Sequence, residues 1–351
     1  MLSRLGFQES FSIGNNNIGN GFPCYIIAEA GLSHLGNIDY AEQLVKIAVE
    51  AGCSAFKTQH FRVSSLLNAR YAPDWYERYR SKALDDRDII AISDMCRHYG
   101  IEFLCTPHDI PSLEFLISNK LIKCIKVGSG ELNNYLFLRK AAVSGLPIIL
   151  STGMYSIDQI CEAVDYLYLC GCRQLAILHC TTLYPTPPDE VKLPTIPFIQ
   201  NMFTGPVGYS DHTSGHDMAI AAVALGSSVI EKHVTLFTDI PNAQDWKVSC
   251  TKATLPEFVR SLRQVELATR LTTAKNTPSK IELESIRWAT KSLYSATNLD
   301  INHVIKDSDI VAMRPGIGLS PMQYTQIIGR KVVRPIKEGD LLTMEHFAPK
   351  E

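Results

Sequence analysis

The segments VGYSDHT (207–213) and VIEKHVT (229–235) each carry a short apolar run into a histidine that lies beside acidic residues. Six earlier segments repeat the same change from apolar to polar: YIIAEAG (25–31), SAFKTQH (54–60), IEFLCTP (101–107), CIKVGSGE (124–131), PIILSTG (147–153) and LAILHCT (175–181). Between them lie stretches with apolar residues at helical spacing, such as YAEQLVKIAVEAG, PSLEFLISNK and FLRKAAVSG. Apolar strands that alternate with helices indicate a parallel sheet. Eight such repeats predict an α/β fold of the (β/α)8, or TIM, barrel type.

The chain is long enough for a second, smaller domain. Residues 1–271 are predicted to form the barrel domain, and the Gly- and Asn-rich first 22 residues are expected to form a hairpin or cap. Residues 272–284 are predicted to be a polar linker. Residues 285–351 change to short strands and turns such as KEGD. A domain of about 65 residues is marginal on its own, so we expect it to pack against something else.

Composition limits the classes of partner. The 351 residues carry a formal charge of -2, which gives no broad basic field for nucleic acid or for an anionic membrane. No apolar run approaches the roughly 18 residues of a membrane span, and the N-terminus lacks a signal-peptide core. We therefore expect a cytoplasmic protein. Its ten cysteines lie mostly in apolar runs, which favours reduced core packing over a disulfide framework.

Cationic and hydroxyl side chains recur at the strand ends. Two lysines and four hydroxyl residues occupy these positions: Lys57, Thr106, Lys126, Ser129, Ser151 and Ser210. Active sites of such barrels lie at the carboxyl ends of the strands. One such residue alone is typical of a solvated strand end. Together with the backbone N–H groups of the GSG turn, they favour a site for a dianionic phosphate.

The two histidines of the opening segments end consecutive strands. Neighbouring strands of a barrel can direct His212 and His233 into the same mouth. Two imidazoles beside a carboxylate form a candidate site for a catalytic divalent metal, and the alternative is a pair of hydrogen-bonded structural histidines. Glu29 ends the first strand, next to the last strand across the barrel closure. It is a candidate third ligand or general base.

These motifs resemble a known family. IIAEAGLSHLGN, FKTQHF, IKVGSGELNNYLFLRKAAVSGLPIILSTGM, LHCTTLYPTPPDEVKL, VGYSDHTSGHDMAIAAVALGSSVIEKHVTL and MRPGIGLSP are similar, in order, to the N-acetylneuraminate (sialic acid) synthases, a family that includes the legionaminate and pseudaminate synthases. The C-terminal part resembles the antifreeze-like (SAF, β-clip) domain of these enzymes. The resemblance implies condensation of phosphoenolpyruvate with an N-acetylated sugar such as N-acetylmannosamine. The implied products are phosphate and a nine-carbon 2-keto acid, and the implied cofactor is Mn2+ or Mg2+.

The resemblance also implies residue roles. Lys57, Thr106, Lys126, Ser129, Ser151 and Ser210 match positions that bind phosphoenolpyruvate, and Glu29, Lys57 and Lys126 match catalytic positions. His212 and His233 match the metal ligands. The positions matched near the metal or the amino sugar are Gln59, Glu131, Tyr184, Asp245 and Arg314. Arg314 matches an arginine that the small domain contributes to the partner's site in a domain-swapped homodimer, which would explain how so small a domain is tolerated.

The sequence departs from the family pattern at two positions, and two alternative functions stay open. Ser33 replaces an asparagine common in the family, and Trp246 in QDWK (244–247) replaces a histidine. Both lie near the expected sugar end, so the resemblance leaves open whether the acceptor is N-acetylmannosamine, its dideoxy diacetamido analogue or another relative. The alternative functions are a Schiff-base aldolase that uses Lys126 or Lys232, and a catalytically silent relative that only binds sugar.

Overall fold

Eight parallel strands close into a barrel in the computed structural model of the protein, which describes residues 6–240, 245–269 and 277–349. The barrel strands are β3 (Tyr25–Glu29), β4 (Ala55–His60), β5 (Glu102–Pro107), β6 (Ile125–Val127), β7 (Ile148–Ser151), β8 (Leu175–Cys180), β9 (Val207–Asp211) and β10 (Val229–His233). Each strand pairs with the next, and β10 pairs with β3 to close the barrel. Every predicted run contains one of these strands, and the predicted (β/α)8 fold is confirmed.

Helices lie between and after these strands. They are α1 (Ile38–Glu50), α2 (Val63–Leu66), α3 (Pro73–Arg80), α4 (Asp86–Tyr99), α5 (Ile110–Ser118), α6 (Tyr135–Val143), α7 (Ile157–Leu169), α8 (Thr195–Met202), α9 (Asp217–Ala224) and α10 (Leu255–Thr269). Helix α7 shows why these segments are helical. Its Ser156 cap and Gln159 form a capping box, and its buried residues Ile160, Ala163, Val164 and Leu167 recur at helical spacing. Among the described residues, no helix is both long and apolar enough to cross a membrane.

The strands alternate between two cores because successive side chains point to opposite faces. The inner core joins residues from around the barrel: Tyr25, Ile27, Ala55, Leu104, Cys124, Ile149, Ala176, Leu178 and Val229. Phe11, Ile13 and Ile18 from an N-terminal hairpin, β1 (Ser10–Ile13) and β2 (Asn16–Gly19), join this cluster. Inward residues nearer the strand ends continue the same alternation, and they are polar.

The chain divides into two compact units, Met1–Leu271 and Thr272–Glu351. The second contains α11 (Lys280–Ala289), β11 (Ser292–Ser295), β12 (Ile310–Met313) and α12 (Tyr324–Ile327), with β11 and β12 paired antiparallel over a separate apolar cluster. Helix α11 begins within the segment expected to be linker. Residues 1–5 of the expected cap, Gln244 of the QDWK motif and residues 272–276 of the expected linker lie outside the described residues.

Candidate active site

Four charged side chains form a network inside the barrel at the carboxyl ends of the strands. Lys57 Nζ lies 2.6 Å from Glu29 Oε2 and 3.6 Å from Glu231 Oε2. Lys126 Nζ lies 3.4 Å from Glu231 Oε1. All four residues are between 1 % and 4 % exposed. Two lysines and two carboxylates balance in formal charge, which offsets the cost of burying each charge.

Three hydroxyls surround these charges. Lys57 Nζ donates to Thr106 Oγ1 at 3.0 Å, and Lys126 Nζ donates to Ser151 Oγ at 2.8 Å. Ser210 donates to Glu231 Oε1 at 3.0 Å, and the two residues are register partners on β9 and β10. The predicted phosphate residues therefore meet in one buried cluster.

Ser129 lies next to this cluster, on the turn that follows Lys126. Its Oγ accepts a hydrogen bond from the Gly153 backbone N–H at 3.0 Å and lies 3.4 Å from Cys180 Sγ. Gly153 follows Ser151 by two residues, so the ends of β6, β7 and β8 meet at this hydroxyl. The sixth predicted phosphate residue thus lies near the other five.

Burial and charge set the protonation of the network. Burial raises the pKa of Glu29, although Lys57 opposes the shift. Burial also opposes ionisation of Glu231, but Lys126 and Lys57 outweigh it and hold that pKa below its usual range. Burial lowers the pKa of Lys126, whereas for Lys57 the two carboxylates outweigh burial and raise the pKa. Glu29 is therefore the more basic carboxylate, and Lys126 the more acidic ammonium.

The two strand-end histidines lie together, as predicted. The ring centroids of His212 and His233 are 5.4 Å apart, and the Tyr184 ring stacks on His212 at 4.2 Å. His212 Nδ1 lies 2.8 Å from the Thr181 carbonyl oxygen, which can accept its N–H, and Nε2 lies 3.1 Å from the Tyr184 hydroxyl. His233 Nδ1 is buried without a hydrogen-bond partner among the described residues.

This pair fits the donor chemistry of a divalent metal site. Burial is the largest cause that lowers the pKa of His212 to about 4 and of His233 to about 3, so both imidazoles are neutral near pH 7 and can donate a lone pair. The backbone bond at His212 Nδ1 orients the ring in the way outer hydrogen bonds orient metal-binding histidines. No group of three or more His, Cys, Asp or Glu side chains within the described ranges is arranged to enclose a metal. An ion held here would take further ligands from substrate or water.

Gly31 lies between the histidine pair and the carboxylates. Its φ of +54° favours glycine, and a Cβ there would lie 3.2 Å from Asp245 Oδ2. The same Cβ would lie 3.6 Å from both Glu29 Oε1 and His233 Cε1. Gln59 Nε2 is 3.5 Å from Glu29 Oε1, so Gln59 lies beside the same carboxylate. The catalytic, metal and sugar predictions converge at this point.

A cavity of about 370 Å3 opens above Gly31. The lining includes predicted sugar residues and both departures from the family pattern: Ser33, Gln59, Tyr184, His233, Asp245 and Trp246. Helix α3 adds Trp75, Arg78 and Tyr79 to the wall. The sequence does not predict this contribution of α3, because the long segment between β4 and α4 carries no motif that points back to the mouth.

Two predicted residues lie apart from this convergence. Glu131 ends the turn after β6 and accepts a hydrogen bond from Asn134 at 2.7 Å. Arg314 lies in the second unit, just after β12, with its guanidinium carbon 5.8 Å from the centre of the Trp288 ring. Its predicted role in a partner's site stays a prediction.

Glu231 is a residue of the charged network that the sequence pattern does not predict, and the sequence leaves both lysine candidates for a Schiff base open. Glu231 precedes His233 by two residues, so strand alternation was the available signal. The same alternation points Lys232 away from the barrel interior, where it pairs with Asp211 at 2.8 Å and donates to the Thr213 carbonyl at 2.7 Å. Lys232 is therefore removed from the candidate site.

Comparison with known proteins places the chain among synthases. Residues 44–273 match the NeuB family, and residues 290–348 match the SAF domain. N,N'-diacetyllegionaminic acid synthase of Legionella pneumophila is 34 % identical over 345 residues, which cover 94 % of this chain and 96 % of the relative. Human N-acetylneuraminate-9-phosphate synthase is 30 % identical, over 93 % of this chain and 94 % of the relative. The structure of N-acetylneuraminic acid synthetase from Leptospira borgpetersenii aligns with a TM-score of 0.72 at 28 % identity, over 80 % of this chain and 96 % of that one.

Proposed function

The chain belongs to the NeuB family, and from this premise we propose that it condenses phosphoenolpyruvate with an N-acetylated amino sugar and water. The proposed products are a nine-carbon 2-keto sugar acid and phosphate. One observation carries the proposal: a buried cluster of two lysines and hydroxyls adjoins a cavity of sugar size, because Gln59 lines that cavity and lies 3.5 Å from Glu29 of the charged network. Phosphoenolpyruvate and acceptor can therefore occupy adjoining spaces.

The lysine cluster supplies the phosphoenolpyruvate end of the site. Lys57 and Lys126 carry the charge that offsets the phosphate, and Thr106, Ser151 and Ser210 provide hydroxyls within bonding reach of the lysines or of Glu231. Ser129 adds a hydroxyl whose position is fixed by Gly153. These groups are already placed before substrate arrives, so they stabilise developing phosphate charge with little reorganisation.

His212 and His233 would hold a divalent metal, Mn2+ or Mg2+. When bound, the ion supplies Lewis acidity that polarises the aldehyde oxygen of the open-chain acceptor. Two observations support this assignment. Both imidazoles are neutral near pH 7, and His212 Nδ1 is hydrogen-bonded to the Thr181 carbonyl oxygen. Tyr184 keeps the His212 ring in place by stacking on it.

The proposed chemistry forms one C–C bond and breaks one C–O bond. C3 of phosphoenolpyruvate attacks the aldehyde carbon, and the alkoxide formed from the aldehyde oxygen takes a proton from solvent to become a hydroxyl. Water adds to the cationic C2, and Glu29 accepts the proton that this water loses. The C2–O bond to the phosphoryl group then breaks, the C2 hydroxyl gives up its proton to the departing phosphate and becomes the keto oxygen, and phosphate leaves. The raised pKa of Glu29, caused mainly by burial, makes it a stronger base than an ordinary carboxylate.

The cavity above Gly31 would hold the acceptor sugar. Gln59, Asp245 and Tyr184 line it together with His233. Glu131 lies outside this lining, and its proposed role at the sugar rests on the family resemblance alone. Ser33 and Trp246 also line it, so both departures from the family pattern face the proposed acceptor. We further propose a domain-swapped homodimer in which Arg314 of one subunit completes the sugar site of the other.

The function is tested by measuring phosphate released from phosphoenolpyruvate with a panel of 2-acetamido sugars, with product masses read in parallel. The panel includes N-acetylmannosamine, its 6-phosphate and the diacetamido dideoxy analogue. The proposal predicts equimolar phosphate and a product with the mass of the sugar plus pyruvate. Phosphate release without a sugar adduct, or no release with any acceptor, would contradict it.

A Schiff-base aldolase is the second candidate. It retains support from one observation, since burial lowers the pKa of Lys126, as an imine-forming lysine requires. Borohydride treatment in the presence of pyruvate separates the two. The condensing mechanism leaves Lys126 unmodified, whereas an aldolase would be trapped as a stable adduct.

A further inference from the structure

His108 lies beside the proposed phosphate site without an assigned role. It follows Thr106 by two residues at the end of β5, so strand alternation points both toward the mouth of the barrel. A Cβ on Gly128 would lie 3.7 Å from His108 Cε1 and 3.7 Å from Thr106 Cγ2. Gly128 opens the turn that carries Ser129. The ring therefore lies beside the turn that carries the Ser129 hydroxyl.

The ring nitrogens of His108 have no hydrogen-bond partner in the part of the chain that the structure describes. Two other barrel histidines are tethered: His60 Nε2 lies 3.0 Å from Asp86 Oδ1, and His179 Nε2 lies 2.6 Å from the Val191 carbonyl oxygen. The side chain of His108 is also only partly buried. An imidazole that has no hydrogen-bond partner and is not fully enclosed is available to a ligand.

The charges around His108 favour an anionic ligand. Burial first, and then Lys57 and Lys126, lower the pKa of His108 to about 4, while Asp109 opposes them. The Asp109 carboxylate is itself occupied, since it accepts the backbone N–H groups of Arg62 and Ser112, each at 2.7 Å. The free site thus presents a neutral imidazole beside two cations, and an entering dianion would reverse the local field.

We infer that His108 binds the phosphoryl group of phosphoenolpyruvate and takes up one proton from solvent as that group enters. This inference rests on the proposed function. A charged imidazole would then add a donor to the lysines and Ser129, and part of the substrate affinity would depend on pH in the range where His108 changes charge. On product release the proton returns to solvent, so the turnover stays balanced.

The test compares His108→Phe, which keeps ring volume, with His108→Gln, which keeps an N–H donor but cannot be charged. His98 on α4 is exposed, and His98→Gln is the matched control. Phosphoenolpyruvate KM is measured from about pH 6 to 8.5, and proton uptake on phosphoenolpyruvate binding is measured by calorimetry in buffers of different ionisation enthalpy. Acceptor KM is followed in every variant.

We expect His108→Phe to raise phosphoenolpyruvate KM roughly 10-fold near pH 6.5 and less at higher pH, with acceptor KM unchanged. His108→Gln should lose proton uptake with a smaller rise in KM. Unaltered proton uptake in both variants, or a KM ratio to wild type that does not vary with pH, would overturn the inference while the proposed function stands. Wild-type protein that does not bind phosphoenolpyruvate would overturn both.

Discussion

Replacing Lys126 by methionine tests the phosphate end of the site most sharply. The substitution keeps the length and apolar stem of the side chain but removes the charge that lies 3.4 Å from Glu231 and the donor that lies 2.8 Å from Ser151. A charge-assisted contact to phosphate contributes roughly 1.5–3 kcal/mol. Phosphoenolpyruvate KM should therefore rise about 10- to 150-fold, whereas acceptor KM should change little.

Stability should fall only moderately in the same variant. A buried charge left without a partner costs about 3–5 kcal/mol. Glu231 keeps Lys57 at 3.6 Å and the Ser210 hydroxyl at 3.0 Å, so the loss should lie below that range. Burial lowers the pKa of Lys126, so keeping this ammonium charged in the folded protein costs free energy. Removing the charge also removes that cost.

Lys232→Met is the matched control. This lysine is as buried as Lys126 but lies on the opposite face of its strand, where Asp211 is its ion-pair partner. It should cost more stability, about 3–5 kcal/mol, because Asp211 is left without its cation. Its phosphoenolpyruvate KM should stay near wild type. Steady-state kinetics and urea unfolding measure both effects, and equal phosphoenolpyruvate KM values in the two variants would refute the assignment.

Three further predictions concern the metal, pH and the partner subunit. His212→Ala or His233→Ala should abolish turnover and metal retention, checked by elemental analysis after gel filtration, and a variant of both histidines that still holds the ion tightly would rule this assignment out. In chelator, the free energy of unfolding should fall as pH drops from about 6.5 toward 4, by about 1 kcal/mol at pH 5.5 for each histidine whose native pKa is lowered to about 3 or 4. The reason is that native pKa values of about 4 for His34, His108 and His212 and about 3 for His233 leave only the unfolded chain protonated, so a flat urea midpoint would contradict the shifts. Mixing His212→Ala with Arg314→Ala subunits should restore roughly a quarter of wild-type activity if arginine acts in the partner's site, and exchanged but inactive mixtures would exclude that role.

The strand pattern predicts the barrel and most of the phosphate end because both follow from local periodicity. Each strand end is readable in sequence, and closure brings those ends together, which is why Lys57, Lys126 and the hydroxyls are found in one cluster. Glu231 shows the limit of reading strand ends alone. It lies two residues before the last residue of β10, and only strict alternation along that strand would have placed it beside both lysines.

The features of the site that the sequence does not predict depend on contacts between residues that are far apart in the chain. The ion pair between Glu29 and Lys57 depends on the register of β3 and β4, which no local pattern specifies. The contribution of α3 to the sugar cavity depends on how a long loop folds back over the mouth. The sequence leaves His108 unassigned, because it shows that a histidine follows a strand but not that the ring lacks a hydrogen-bond partner.

The most direct test of the central claim follows the bridging oxygen of phosphoenolpyruvate. With oxygen-18 at the C2–O–P position, wild-type protein, metal and an accepted amino sugar, mass spectrometry of both products reports which bond breaks. Attack by water at C2 followed by C–O cleavage predicts that the label leaves in phosphate, together with an equimolar nine-carbon acid. Unlabelled phosphate would show P–O cleavage and would contradict the proposed reaction at the site built from Glu29, Lys57 and Lys126.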